Sequence, residues 1–160
     1  MLNVQVIAVG KVSQSWMREG CAEYIKRLGA FCKLSVIEID ECRLPDNPSQ
    51  AQIKAGILAE GESIIQKIPA GSYVVSMCIE GKHLDSQALA KQMQDLPVYG
   101  KSTITFIIGG SHGLSERVKV LSHLRLSMSA MTFPHQLARV MLLEQLYRAF
   151  SINNGNKYHK

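Results

Sequence analysis

Three short stretches carry residue types suited to holding a small ligand. Gly109-Gly110-Ser111-His112-Gly113 sets glycines at GGxxG spacing directly after the apolar run Thr103 to Ile108. Without side chains there, a ligand can reach main-chain amides that would otherwise be covered. Met128-Ser129-Ala130-Met131-Thr132-Phe133 follows a second patterned run. Its small and sulfur-bearing residues offer backbone groups and soft apolar walls to a purine and a thioether, with plain core packing as the competing reading. Met77 to Gly81 ends a third run. In open parallel sheets, ligands bind outside the carboxyl ends of strands, and all three stretches are such ends.

The glycine spacing is not the dinucleotide fingerprint, and no Lys-Ser/Thr pair follows it for a phosphate loop. A nucleotide-binding enzyme of Rossmann type would want a Gly-rich turn after Val9, which is missing, and an acid at the end of the second strand, which Asp40 supplies. Nucleophile elbows, zinc-protease helices and paired cysteines are absent. The four cysteines, at 21, 32, 42 and 78, have no metal-like spacing and read as free thiols in a reducing compartment.

The elements that position these stretches follow from periodicity. Strands are expected at Leu2 to Val9, Lys33 to Asp40, Tyr73 to Ile79, Thr103 to Ile108, and over about eight alternating positions from Leu124. Helices are expected at about Gln14 to Leu28 (capped by Ser13 or Ser15), Gln50 to Lys67 (capped by Ser49), Ser86 to Leu96, and a short one after Ser115. Glu80-Gly81-Lys82 reads as a loop. A last helix runs from about Pro134 to Phe150, capped by Thr132 or Phe133 with Pro in its first turn. Strands alternating with helices imply a single three-layer α/β domain around a mostly parallel sheet. The continuously apolar fourth strand is expected at its centre.

The last helix lacks a wide polar face: Leu137, Val140, Met141, Leu142, Leu143, Leu146, Tyr147 and Phe150 point almost all round its axis. A helix of that kind is buried. In a chain of 160 residues, one side is expected against its own sheet and the other against a second copy. Glu144 and Arg148 are spaced for an ion pair. A net charge of +5 leans towards an anionic partner such as nucleic acid. No apolar run is long enough to span a membrane, and no signal segment opens the chain, so a cytoplasmic location is expected.

The runs Ile108-Gly109-Gly110-x-x-Gly113-Leu114, Leu126-Ser127-x-Ser129-x-Met131-Thr132-Phe133-Pro134-His135-Gln136-Leu137-x-Arg139-Val140, Glu144-Gln145-x-Tyr147-Arg148-Ala149 and Tyr158-His159-Lys160 closely resemble the RlmH family. Ala8 to Lys11 and Glu23 to Leu28 extend the resemblance to the whole chain. The family consists of ribosomal large-subunit pseudouridine methyltransferases of the SPOUT, or α/β-knot, class. The resemblance implies a C-terminal trefoil knot that grips S-adenosylmethionine, and a homodimer whose sites are each completed by the partner. It implies donor contacts from Met77, Gly109, Met128, Ser129, Ala130, Met131, Thr132 and Phe133. The implied substrate is a pseudouridine in a 23S rRNA hairpin loop, methylated at its N3 imide nitrogen in the assembled ribosome, with neither DNA nor a metal involved.

An imide is largely neutral at physiological pH, so a base or an anion-stabilising cation is needed. His135, Arg139 and His159 are the candidates. Arg139 cannot serve as a base but can hydrogen-bond a developing oxyanion, and Tyr158 can stack on the target base. A ribosome-associated RNA-binding factor without catalysis is the rival reading. It explains the charge and the last helix but leaves three converging strand ends unused.

Overall fold

Side chains that alternate along two neighbouring strands fall on opposite faces of one sheet. The computed structural model describes all residues from Met1 to Lys160. Its strands are β1 (Asn3–Val9), β2 (Lys33–Ile39), β3 (Tyr73–His83), β4 (Thr103–Ile108) and β5 (Leu124–Ser127). They form a five-stranded sheet in the order β2-β1-β4-β3-β5, every pair parallel. β4 is the middle strand, as its continuous apolar run predicts.

Val4, Val6 and Ala8 of β1, with Ile104, Phe106 and Ile108 of β4, enter one core of 22 buried residues. Ile7, Val9 and Ile107 enter a second core of eight on the other face. This is the period-two geometry of strands buried on both sides.

Helices cover both faces. α1 (Ser15–Leu28), α3 (Ser86–Asp95) and α5 (His135–Asn153) lie over the large core, and α2 (Gln50–Lys67) and α4 (Glu116–Leu121) over the small one. α5 is packed between α1 and α3. None of its residues is exposed, and Leu142, Leu143, Leu146 and Ala149 are fully buried. Each of those leucines contributes about 2 kcal/mol of burial, so α5 is anchored along its length by one face.

Local chemistry accounts for most boundaries. Ser49 caps α2 with a full capping box through Gln52, and Asp85 and Ser115 cap α3 and α4. α3 stops at Asp95, and Pro97 lies within a 3₁₀ turn, Leu96–Tyr99.

Four boundaries differ from expectation. The residue at the cap of α1 is Gln14, with no side-chain bond; Ser13 instead gives its amide (2.9 Å) and its hydroxyl (3.2 Å) to Gln136 Oε1 on α5. Pro134, not Thr132 or Phe133, occupies the cap position of α5, and that helix runs on to Asn153. β5 ends at Ser127 because hydroxyls take over the backbone: Ser127 Oγ donates to the Ser129 carbonyl, and Ser129 Oγ accepts from Met131 N, each at 3.0 Å. Glu80-Gly81-Lys82 is not a loop but part of β3, which bulges between Met77 and Lys82 and then rejoins β5.

Candidate functional site

The carboxyl ends of β3, β4 and β5 enclose one cavity of about 840 Å³, within the range of ligand sites in general. β4 delivers Ile108 into the turn Gly109–Gly113, which closes on itself: Gly113 N donates to Gly110 O at 3.1 Å, and Gly113 has φ +85. A Cβ on Gly109 would lie 2.7 Å from the carbonyl carbon and oxygen of Gly113. Only glycine fits there, which leaves main chain as the wall.

The bend after β5 supplies the facing wall. Of the eight expected donor contacts, Met77, Gly109, Met128, Ser129, Met131, Thr132 and Phe133 line this cavity. Ala130 sits in the same bend but is exposed and forms no part of the wall. The walls fit a purine and a thioether: Met77, Ile108, Leu114, Met128 and Phe133 are apolar, and the glycine turn offers polar main chain.

Cys78, Ile79, Glu80 and Lys119 also border the cavity. The first three come from the bulge, which the sequence marked only as a strand end; Lys119, from the short α4, carried no signal. Gly81 locks the bulge down, since a Cβ there would meet the Arg125 carbonyl at 2.8 Å. Lys119 Nζ donates to Glu80 Oε1, and that bond holds the Glu80 carboxyl below the usual carboxylate range.

His135 stands on the cavity wall at the start of α5, and its Nε2 lies 3.7 Å from where a Cβ on Gly10 would project. Arg139, one turn on, does not reach the cavity. Its side chain is 5% exposed, with Nη1 donating to Glu38 Oε2 at 2.5 Å and Nη2 to the Gly10 carbonyl at 2.9 Å; Nε has no partner. The guanidinium thus ties α5 to the ends of β1 and β2. A developing oxyanion in the cavity would find both terminal nitrogens already engaged.

The tail also stays outside this cavity. Tyr158 donates from its hydroxyl to Glu144 Oε2 at 3.0 Å and lies 3.2 Å from the Tyr24 hydroxyl. Its ring meets Tyr147 edge-on at 4.8 Å, under the Arg148 guanidinium. His159 Nδ1 sits 3.1 Å from Arg148 Nη1, and the expected Glu144–Arg148 pair is formed at 2.6 Å. Burial and the hydrogen bonds with Tyr24 and Glu144 push the Tyr158 phenol up from its ordinary value.

A groove of about 530 Å³ between α1, α5 and the start of α3 runs beside the tail. It includes Tyr24, Val140, Met141 and Glu144, and shares Met77, Leu126, Ser127 and Met128 with the first cavity. The groove and the ligand cavity therefore share one wall of side chains.

No three His, Cys, Asp or Glu side chains converge to hold a metal ion, and no helix is long and apolar enough to cross a membrane. All four cysteines are free, Cys21 and Cys32 buried and Cys42 and Cys78 half-buried.

Comparison with known proteins agrees with this arrangement. Residues 2–159 match a family model described as "Predicted SPOUT methyltransferase". The chain is 47% identical to ribosomal RNA large subunit methyltransferase H of Clostridioides difficile, over 99% of this chain and 100% of that protein. It is 45% identical, with the same coverage, to the protein of that name from Leuconostoc citreum. The solved structure of a "Probable Methyltransferase" from Bordetella pertussis shares the fold at a TM-score of 0.54 and 17% identity, over 92% of this chain and 95% of that one. On the motif, the fold and the full-length identity together, the chain belongs to the RlmH family of SPOUT methyltransferases.

Proposed function

We propose that the protein methylates large-subunit ribosomal RNA, transferring the methyl group of S-adenosylmethionine to the N3 imide nitrogen of a pseudouridine in a 23S rRNA hairpin loop. The observation that carries this reading is the meeting of three strand ends around one cavity, walled by glycine main chain on one side and the Met128–Phe133 bend on the other. The names of the relatives support rRNA as the substrate.

The donor supplies an already activated sulfonium methyl. Met77, Met128 and Phe133 would flank its uncharged parts, and the main chain of Gly109 and of residues 129–132 would hold its polar edges. The chain's remaining task is to align the imide nitrogen and accept its proton. His135, on the cavity wall, and His159, in the tail, are the bases we assign to that step. Tyr158 offers a ring for the base to stack on.

Since Tyr158 and His159 lie outside their own cavity, we place the complete site in a homodimer, with the tail of one subunit serving the cavity of the other. The half-buried Tyr24, Val140 and Met141 of the second groove give that dimer an apolar contact. The trefoil knot belongs to the same reading, with α5 drawn back between α1 and α3. Docking on the assembled ribosome would bring the hairpin to the site, in the cytoplasm.

The test is transfer of labelled methyl from S-adenosylmethionine to ribosomes from a strain lacking the family's enzyme, followed by nucleoside mass analysis. The expected product is one methylpseudouridine per ribosome, with naked rRNA a poor acceptor. Equal labelling of naked rRNA would refute the ribosome requirement, and no labelling of either would refute the reading.

A further inference from the structure

We propose that Glu80 and Lys119 read the amino-acid end of the methyl donor, Glu80 taking its α-ammonium and Lys119 its carboxylate. The inference rests on the methyl donor assigned above. Among the side chains bordering the cavity, Glu80 is the sole carboxylate and Lys119 the sole ammonium; the other titratable groups there are His112, His135 and the thiol of Cys78. The two charges are paired with each other, one on the β3 bulge and one on the last turn of α4.

A methionine-derived ligand brings one ammonium and one carboxylate. By exchanging partners with that zwitterion, the protein pair keeps the ligand's ammonium and carboxylate each matched by an opposite charge. Glu80, at 55% exposed, is the partner free to turn towards the ligand, while Lys119, at 17%, stays seated against the wall. The backbone behind each group is fixed: Gly81 packs against the Arg125 main chain, and α4 is capped by Ser115 and seated through the fully buried Val118. The rest of the wall, largely apolar side chains and glycine main chain, suits the uncharged purine. Together these features divide the cavity into an uncharged pocket and a charged mouth.

The experiment is calorimetry with two probes, S-adenosylhomocysteine and 5′-methylthioadenosine, which share the nucleoside thioether but not the amino-acid end. The wild-type chain should bind S-adenosylhomocysteine more tightly. Glu80→Gln and Lys119→Met should each weaken that probe by about tenfold, the scale of a hydrogen bond to a charged group, while 5′-methylthioadenosine binds as before. The charge exchange Glu80→Lys with Lys119→Glu restores an ion pair but not its polarity, and should leave S-adenosylhomocysteine weak.

Unchanged affinity in the single variants would overturn the proposal, as would equal weakening of both probes or full recovery in the exchanged variant. Those last two results would mean that the pair only holds the bulge in place. If the wild-type chain binds neither probe, the donor assignment itself fails, an outcome separable from all of these.

Discussion

The two ends of α5 do different work by different means. At its start, His135 and Ala138 face a cavity walled on one side by glycine main chain, and the helix is held in place by Arg139 and Gln136 reaching to the turn after β1. Past its middle, Tyr147, Glu144 and Arg148 hold Tyr158 and His159 through their side chains. Main-chain walls tolerate side-chain replacement but not added volume, as at Gly109. A side-chain cluster has the opposite sensitivity. The two ends should therefore fail separately, one in donor binding and one in turnover.

The largest separation should come from the tail. Deleting Tyr158 to Lys160 is expected to lower methyl transfer by on the order of a hundredfold or more, while donor affinity by calorimetry stays close to wild type. Wild-type turnover in the truncated chain would remove the tail from the mechanism. Gly109→Ala is the converse lesion. Its Cβ cannot avoid the Gly113 carbonyl, and overpacking of about 1–3 kcal/mol should weaken the donor roughly tenfold or more, with the Tyr158 environment unchanged by NMR.

Arg139→Ala comes next. Losing its two bonds leaves the Gly10 carbonyl and Glu38 without their partner and should cost about 2 kcal/mol of stability in urea melts. A fall in single-turnover rate at unchanged stability would instead return Arg139 to a role at a developing oxyanion.

The smallest effect is a titration. The fold favours the neutral phenol of Tyr158, whose pKa is raised, so tail docking should be fully present below the ordinary tyrosine value of about 10 and weaken only as pH climbs beyond it. Ultraviolet absorbance should show one tyrosine ionising late. In the truncated chain, that late step should vanish.

Much of the fold was legible because its signals are local. The β4 run, the Ser49 capping box and the glycine turn each depend on residues within a few positions of one another. What was not legible depends on distant partners. Ser13 could not be denied its capping role without knowing that Gln136, far along the chain, takes its amide and hydroxyl. β5 stopped short because Ser127 and Ser129 satisfy the backbone in place of a ladder. The β3 bulge was hidden because Glu-Gly-Lys reads as a turn, whereas Gly81 is required for contact with the Arg125 main chain.

The cavity residues were found from the strand ends and the resemblance together. Lys119 was missed because a lysine on a short helix is ordinarily a solvated charge, and only the fold brings it beside Glu80.

The most direct measurement is a crystal structure of the protein with S-adenosylhomocysteine bound. The account predicts a ligand lodged between the Gly109–Gly113 turn and the Met128–Phe133 bend, touched by main chain from both. A ligand seated instead in the groove beside Tyr24 and Glu144, or on the far side of the glycine turn in the adjoining cavity bounded by Glu41 and Glu60, would contradict it.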